Sequence, residues 1–165
     1  MCKRYSFISV FLICMIIFSG CGEKEELTIF KDEMDNFYTQ IFNIEADMHE
    51  IEEEDENSLD SLLFSLEEMS VQFEKLAELE VPEEFISIEE LADDASDYMN
   101  EAVRLYSEAY EEDYVSDSLI QAAIENYDSA MKRINYIAIL LQGEIPEGAT
   151  IVEGEGNEFV PYSEE

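Results

Sequence analysis

The chain has 165 residues, with 42 Asp or Glu against eight Lys or Arg, for a formal net charge of −34. That balance excludes nucleic-acid binding, which rests on Lys and Arg neutralising phosphates. It also excludes a basic patch for anionic lipid, since such surfaces repel acidic segments.

The first element is a secretory signal over residues 1–20. Lys3 and Arg4 precede an apolar run from Tyr5 to Phe18 that only Ser6 and Ser9 interrupt. A basic start, a short apolar middle and small residues at the cut are the parts of such a signal. The run falls short of the roughly 20 apolar residues that a membrane span needs. Its end, Phe18-Ser19-Gly20-Cys21, resembles a bacterial lipobox, with Phe18 where leucine is usual. The resemblance implies cleavage between Gly20 and Cys21, acylation of Cys21 by fatty acid such as palmitate, and attachment to the outer face of the cell membrane. The plainer alternative is an ordinary secretory signal with an incidental cysteine. Cleavage would remove Cys2, Cys14, Lys3 and Arg4, leaving no free thiol and a charge of −36 from six basic and 42 acidic residues. The rest is the length of one domain, held by its core alone.

Residues 21–26 form a short lipid-anchored tether, with an extended reach of roughly 15–20 Å. From 27 to 142 the chain carries four amphipathic segments whose apolar residues recur by threes and fours. The first runs through Leu27, Phe30, Met34, Phe37, Ile41, Ile44, Met48 and Ile51, and the second through Leu59, Leu62, Leu66, Met69, Phe73 and Leu76. The third takes Ile88, Leu91, Ala95, Tyr98, Ala102, Leu105 and Ala109, and the fourth Ile120, Ala123, Tyr127, Ala130, Ile134, Ile137 and Leu141. This spacing sets each group along one side of a helix. Ser58, Ser87 and Ser116 or Asp117 are placed to cap helices two to four, Val81-Pro82 stops the second, and Gly143 ends the fourth.

Apolar neighbours such as Tyr38, Phe42, Leu63, Ala92, Met99 and Ala138 widen the stripes beyond a two-stranded seam. Short linkers then predict an all-α fold, an antiparallel up-down-up-down four-helix bundle; a dimer of helical hairpins would use the same pattern. The alanines of helices three and four predict their close approach, or else a groove left open for a ligand. Residues 143–165 read as a flexible acidic tail, with Ile151-Val152 and Phe159 to Tyr162 apolar enough to dock on a partner or fold back.

The junction Leu76-Ala77-Glu78-Leu79-Glu80-Val81-Pro82-Glu83-Glu84-Phe85 is similar to a segment of small, uncharacterised bacterial lipoproteins of all-helical type. That likeness implies an anchored helical domain and carries no activity or catalytic residue.

Enzymatic chemistry finds no support. A di-metal bundle needs Glu-x-x-His motifs, yet His49 is the one histidine and Ala46 stands three before it. Nucleophile elbows, phosphate loops and calcium loops are absent. No catalytic residue, cofactor or metal ligand is therefore assigned, and His49 is expected on a solvated flank.

The expected role is a non-enzymatic interaction module at the cell surface, taking a protein or envelope component through Tyr106, Tyr110 and Tyr114. The alternative is an acidic, cation-responsive protein that binds calcium or a cationic peptide. It draws on acidic clusters such as Glu50 to Glu56 and Asp93-Asp94, expected to meet at one pole.

Overall fold

The structure, a computed structural model, describes residues 5–52, 56–111, 115–147, 149–152 and 158–161, with side chains over 25–52, 56–110 and 115–147. Helix α1 spans Tyr5–His49, α2 Ser58–Ala77, α3 Ser87–Glu111 and α4 Asp117–Leu141, with a 3-10 turn at Glu83–Phe85. Two strands follow, β1 at Ala149–Val152 and β2 at Glu158–Pro161. The four helices pack around one core, as the apolar spacing predicts.

Each helix contributes one face to that core. Phe30, Met34, Phe37, Ile41 and Ile44 of α1 meet Met69, Phe73 and Leu76 of α2. Ile88, Leu91, Ala92, Ala95 and Met99 of α3 and Ala130, Ile134, Ile137 and Leu140 of α4 complete it. Phe37 presents its ring edge-on to Phe73, centroids 5.6 Å apart at 76°. Polar groups join the helices where they are buried. The Tyr38 hydroxyl donates to the Ile134 carbonyl at 2.8 Å, linking α1 to α4, and the Ser70 hydroxyl donates to Asn100 Oδ1, linking α2 to α3. Burial pushes the Tyr38 phenol well above its ordinary pKa.

Helices α3 and α4 share the most extensive backbone contact. Ala95, Ala102, Ala109, Ala123 and Ala130 are all buried there, and side chains this small let two backbones approach. Arg133 straps the pair from outside, its guanidinium 4.9 Å from the Tyr98 ring centroid and 3.5 Å from Asp94.

Several boundaries differ from the sequence reading. Residues 21–26, expected as an extended tether, continue α1. Gly22 is tolerated because Glu23 to Leu27 are strong helix formers, and the six residues 21–26 rise about 9 Å instead of 15–20 Å. Ser58 and Ser87 are first helical residues, not caps; the cap of α2 is Asn57, whose carbonyl accepts from Ser61 N at 2.9 Å. Ser116 does occupy the cap of α4, with extended backbone. Gly143 ends α4 as expected, at φ +77. Gly143 N bonds Leu140 O and Glu144 N bonds Ile139 O, which closes the helix in a Schellman motif.

Residues 143–165, expected to be flexible, include a hairpin. β1 pairs antiparallel with β2 in the register Thr150↔Val160 and Ile151↔Phe159, and β2 lies against α3. Threonine, isoleucine, valine and phenylalanine favour strands, and a hairpin gains independent stability only by packing on something else. The strand β2 therefore folds back on α3.

Two side-chain expectations also change. Phe42 is exposed, and Leu140 rather than Leu141 is the buried residue at the end of α4. Asp93-Asp94 sits in the first third of α3, opposite Arg133, while Glu50 follows the end of α1. Among the described residues, Asp93-Asp94 and the Glu50 end of the other cluster do not meet.

Candidate functional site

The bundle changes character beyond Ile44. Helix α1 ends at His49, so Met48 is its last inward apolar residue, while α3 continues to Glu111 and α4 begins at Asp117. The last turns of α3 and the first turns of α4 thus face less of α1 than the rest of the core does. Alanines occupy the facing positions. The result is an apolar pocket of about 170 Å³ lined by Met48 of α1, Leu62 and Leu66 of α2, Ala102 and Tyr106 of α3, and Ala123, Ile124 and Tyr127 of α4. Ile124 is exposed at its edge. The alanines draw α3 and α4 together as expected, and a hollow remains beside Ala102 and Ala123.

Tyr106 and Tyr110 lie one turn apart on α3 and stack, with centroids 5.9 Å apart and planes at 19°. Both are partly exposed. Burial raises the Tyr106 phenol pKa, and the charge that Tyr110 would carry adds to it. Sequence reasoning singled out both residues, and the structure brings them together, with Tyr106 in the pocket wall. Tyr114, the third, lies outside the described residues. Gly20 and Cys21 fall within the α1 backbone, and their side chains lie outside those described.

Across the pocket Tyr127 directs its hydroxyl to Glu45 Oε1 at 3.3 Å. Its phenol pKa is pushed well up, first by burial and then by the Glu45 charge. His49 is exposed; its Nδ1–H donates to the Glu45 carbonyl at 2.7 Å, because that oxygen can only accept.

Beside the pocket, a shallow cleft of about 730 Å³ lies between the end of α1 and the start of α2. Asp47, Glu50, Glu52, Asp60 and Glu68 line it together with Phe64, which is 60% exposed. Among the described residues no three His, Cys, Asp or Glu side chains converge to hold a metal ion. Basic side chains gather elsewhere. Lys31 lies over Phe85 and Lys132 over Tyr136, while Arg104 is held by Glu101 at 2.7 Å and Glu108 at 2.6 Å.

Sequence reasoning missed Phe64 and Ile124. Neither belongs to an apolar stripe, and an exposed phenylalanine beside carboxylates has no periodic signature. Among the residues with described side chains, no helix is long and apolar enough to cross a membrane. No protein family, curated protein or solved structure matches the chain.

Proposed function

We propose that this protein is an extracytoplasmic lipoprotein, anchored to the cell membrane through Cys21, that presents a non-enzymatic interaction module to a protein or envelope component. The lipobox-like Phe18 to Cys21 and the likeness of Leu76 to Phe85 to small helical lipoproteins support the anchor. We read the bundle as up-down-up-down. Support comes from contacts in opposite order along α1 and the chain from α2 to Phe85, Phe30 with Phe85 and Phe37 with Phe73, and from the mid-helix contacts of Ser70 with Asn100 and Asp94 with Arg133 across short connections.

The observation that carries the interaction reading is the stacked Tyr106–Tyr110 pair beside an apolar pocket. Tyrosine supplies large, rigid contact area with a polar tip, which suits a recognition surface. Its placement fits the anchor. Met48 follows Cys21 by 27 helical residues, so the pocket stands about 40 Å from the lipid. Tyr106 and Tyr110 would then face outward.

The test is photo-crosslinking in intact producing cells with benzoylphenylalanine at position 110. A discrete adduct that disappears in the Tyr106→Ala background is expected. Diffuse labelling that Tyr106→Ala leaves unchanged would refute the interaction reading.

A further inference from the structure

We infer that the pole formed by the end of α1 and the start of α2 docks a cationic polypeptide segment, one apolar side chain of which enters the pocket between the four helices. The inference rests on the interaction reading and names the partner's chemistry.

Charge is the first argument. Asp47, Glu50, Glu52, Asp60 and Glu68 face one cleft, and the sequence continues from Glu52 with Glu53, Glu54, Asp55 and Glu56. Beyond Cys21 the basic residues are Lys24, Lys31, Lys75, Arg104, Lys132 and Arg133. Among the described residues, none of these lines the cleft or the pocket. Arg104 is the basic residue nearest in sequence to the pocket residues Ala102 and Tyr106, and two glutamates already hold it. Carboxylates gathered in one cleft without counter-charge focus a negative field that attracts a cationic partner and repels anionic lipid.

Shape is the second. A pocket of about 170 Å³ with almost entirely apolar walls compares with the roughly 150 Å³ hollow that holds one benzene. It therefore takes one phenylalanine- or leucine-sized group. Phe64, exposed in the cleft, offers apolar contact to the same segment. The two openings lie on neighbouring positions of the same turns, Ser61 and Ser65 on the cleft side and Leu62 and Leu66 on the pocket side. A Lys- or Arg-bearing segment with a single apolar anchor matches both. A second copy of this chain matches neither, since its own charge is −34.

The experiment titrates the full chain in detergent micelles with a fluorescent 14-residue peptide carrying six lysines around one phenylalanine, read by anisotropy at low and moderate salt. A sister peptide has alanine in place of the phenylalanine. The phenylalanine peptide is expected to bind about tenfold more tightly than its sister, and both should weaken as salt rises. Ala102→Leu, which fills the pocket, should remove the tenfold difference and leave the sister peptide's affinity unchanged. Asp60→Lys with Glu68→Lys, both on exposed positions, should weaken both peptides. Equal affinity for the two peptides, or a preference that survives Ala102→Leu, would overturn the inference. So would sedimentation showing that self-association occupies the pole. If the position-110 adduct persists while the peptides fail, the cationic partner is rejected and the interaction reading stands. Loss of both rejects the interaction reading itself.

Discussion

Truncating Phe73 to alanine should cost more stability than almost any other single change in the bundle. The ring is fully buried at 0% exposure, lies edge-on to Phe37 and belongs to the cluster that joins all four helices. Removing it forfeits the transfer free energy of a phenyl group and leaves a cavity that neighbours fill only in part. Such Phe→Ala changes cost about 3–5 kcal/mol, against a total stability of about 5–15 kcal/mol for a domain. Phe42→Ala is the matched comparison, on α1 and 70% exposed. Its expected effect is within about 0.5 kcal/mol of zero, since alanine is also the better helix former. Urea unfolding of the full chain, followed by far-UV circular dichroism at 222 nm, measures both. The midpoint of Phe73→Ala should fall sharply at an unchanged slope, while that of Phe42→Ala should hold. A loss below about 1 kcal/mol for Phe73→Ala, or equal losses for the pair, would refute the packing of α1 on α2.

Other outcomes follow from single groups. Tyr38→Phe removes the bond to Ile134 and should cost about 0.5–1.5 kcal/mol in the same assay. Because burial raises the folded pKa of Tyr38 and Tyr127 above the ordinary 10.0, their contribution is fully present below pH 10 and is lost as pH climbs beyond it. Stability should therefore fall above pH 10, with the double Phe variant showing a shallower fall in alkaline urea titrations. Gly143→Ala should cost about 1–2 kcal/mol, because the residue holds φ +77 with open space around it, so backbone conformation alone sets the cost. Gly143→Asn should recover part of that loss in thermal melts. Calcium chloride and sodium chloride at matched ionic strength should raise the melting temperature equally, through screening of the −34 charge; a distinctly larger rise with calcium would reveal a dedicated site.

The core faces were legible in the sequence because threes and fours map directly onto one side of a helix. Phe30, Met34, Phe37, Ile41 and Ile44 are all buried as that rule requires. It fails by one residue at the end of α4, where Leu140 is buried more deeply than Leu141. Apolar spacing fixes a residue's angle about its helix, but not what the neighbouring elements cover at the helix end. Phe42 misled for a related reason: flanking positions are buried only where a neighbouring helix reaches them. The hairpin escaped because strands of four residues are too short to show a period.

Legibility of the candidate site was divided. Tyr106 and Tyr110 could be found, since residues four apart share a helix face. The pocket beside them could not, because it arises from the stagger of α1 against α3 and α4. No local pattern records where His49 stops relative to Ala102 and Ala123.

The anchor underlies the account, since the outward placement of the Tyr106 pole depends on it. Intact mass spectrometry of the protein extracted from the membranes of its producing cell tests it most directly. A chain beginning at Cys21 and heavier than residues 21–165 by the mass of attached lipid is expected. A chain that retains residues 1–20, or that begins at or beyond Cys21 without added mass, would contradict it.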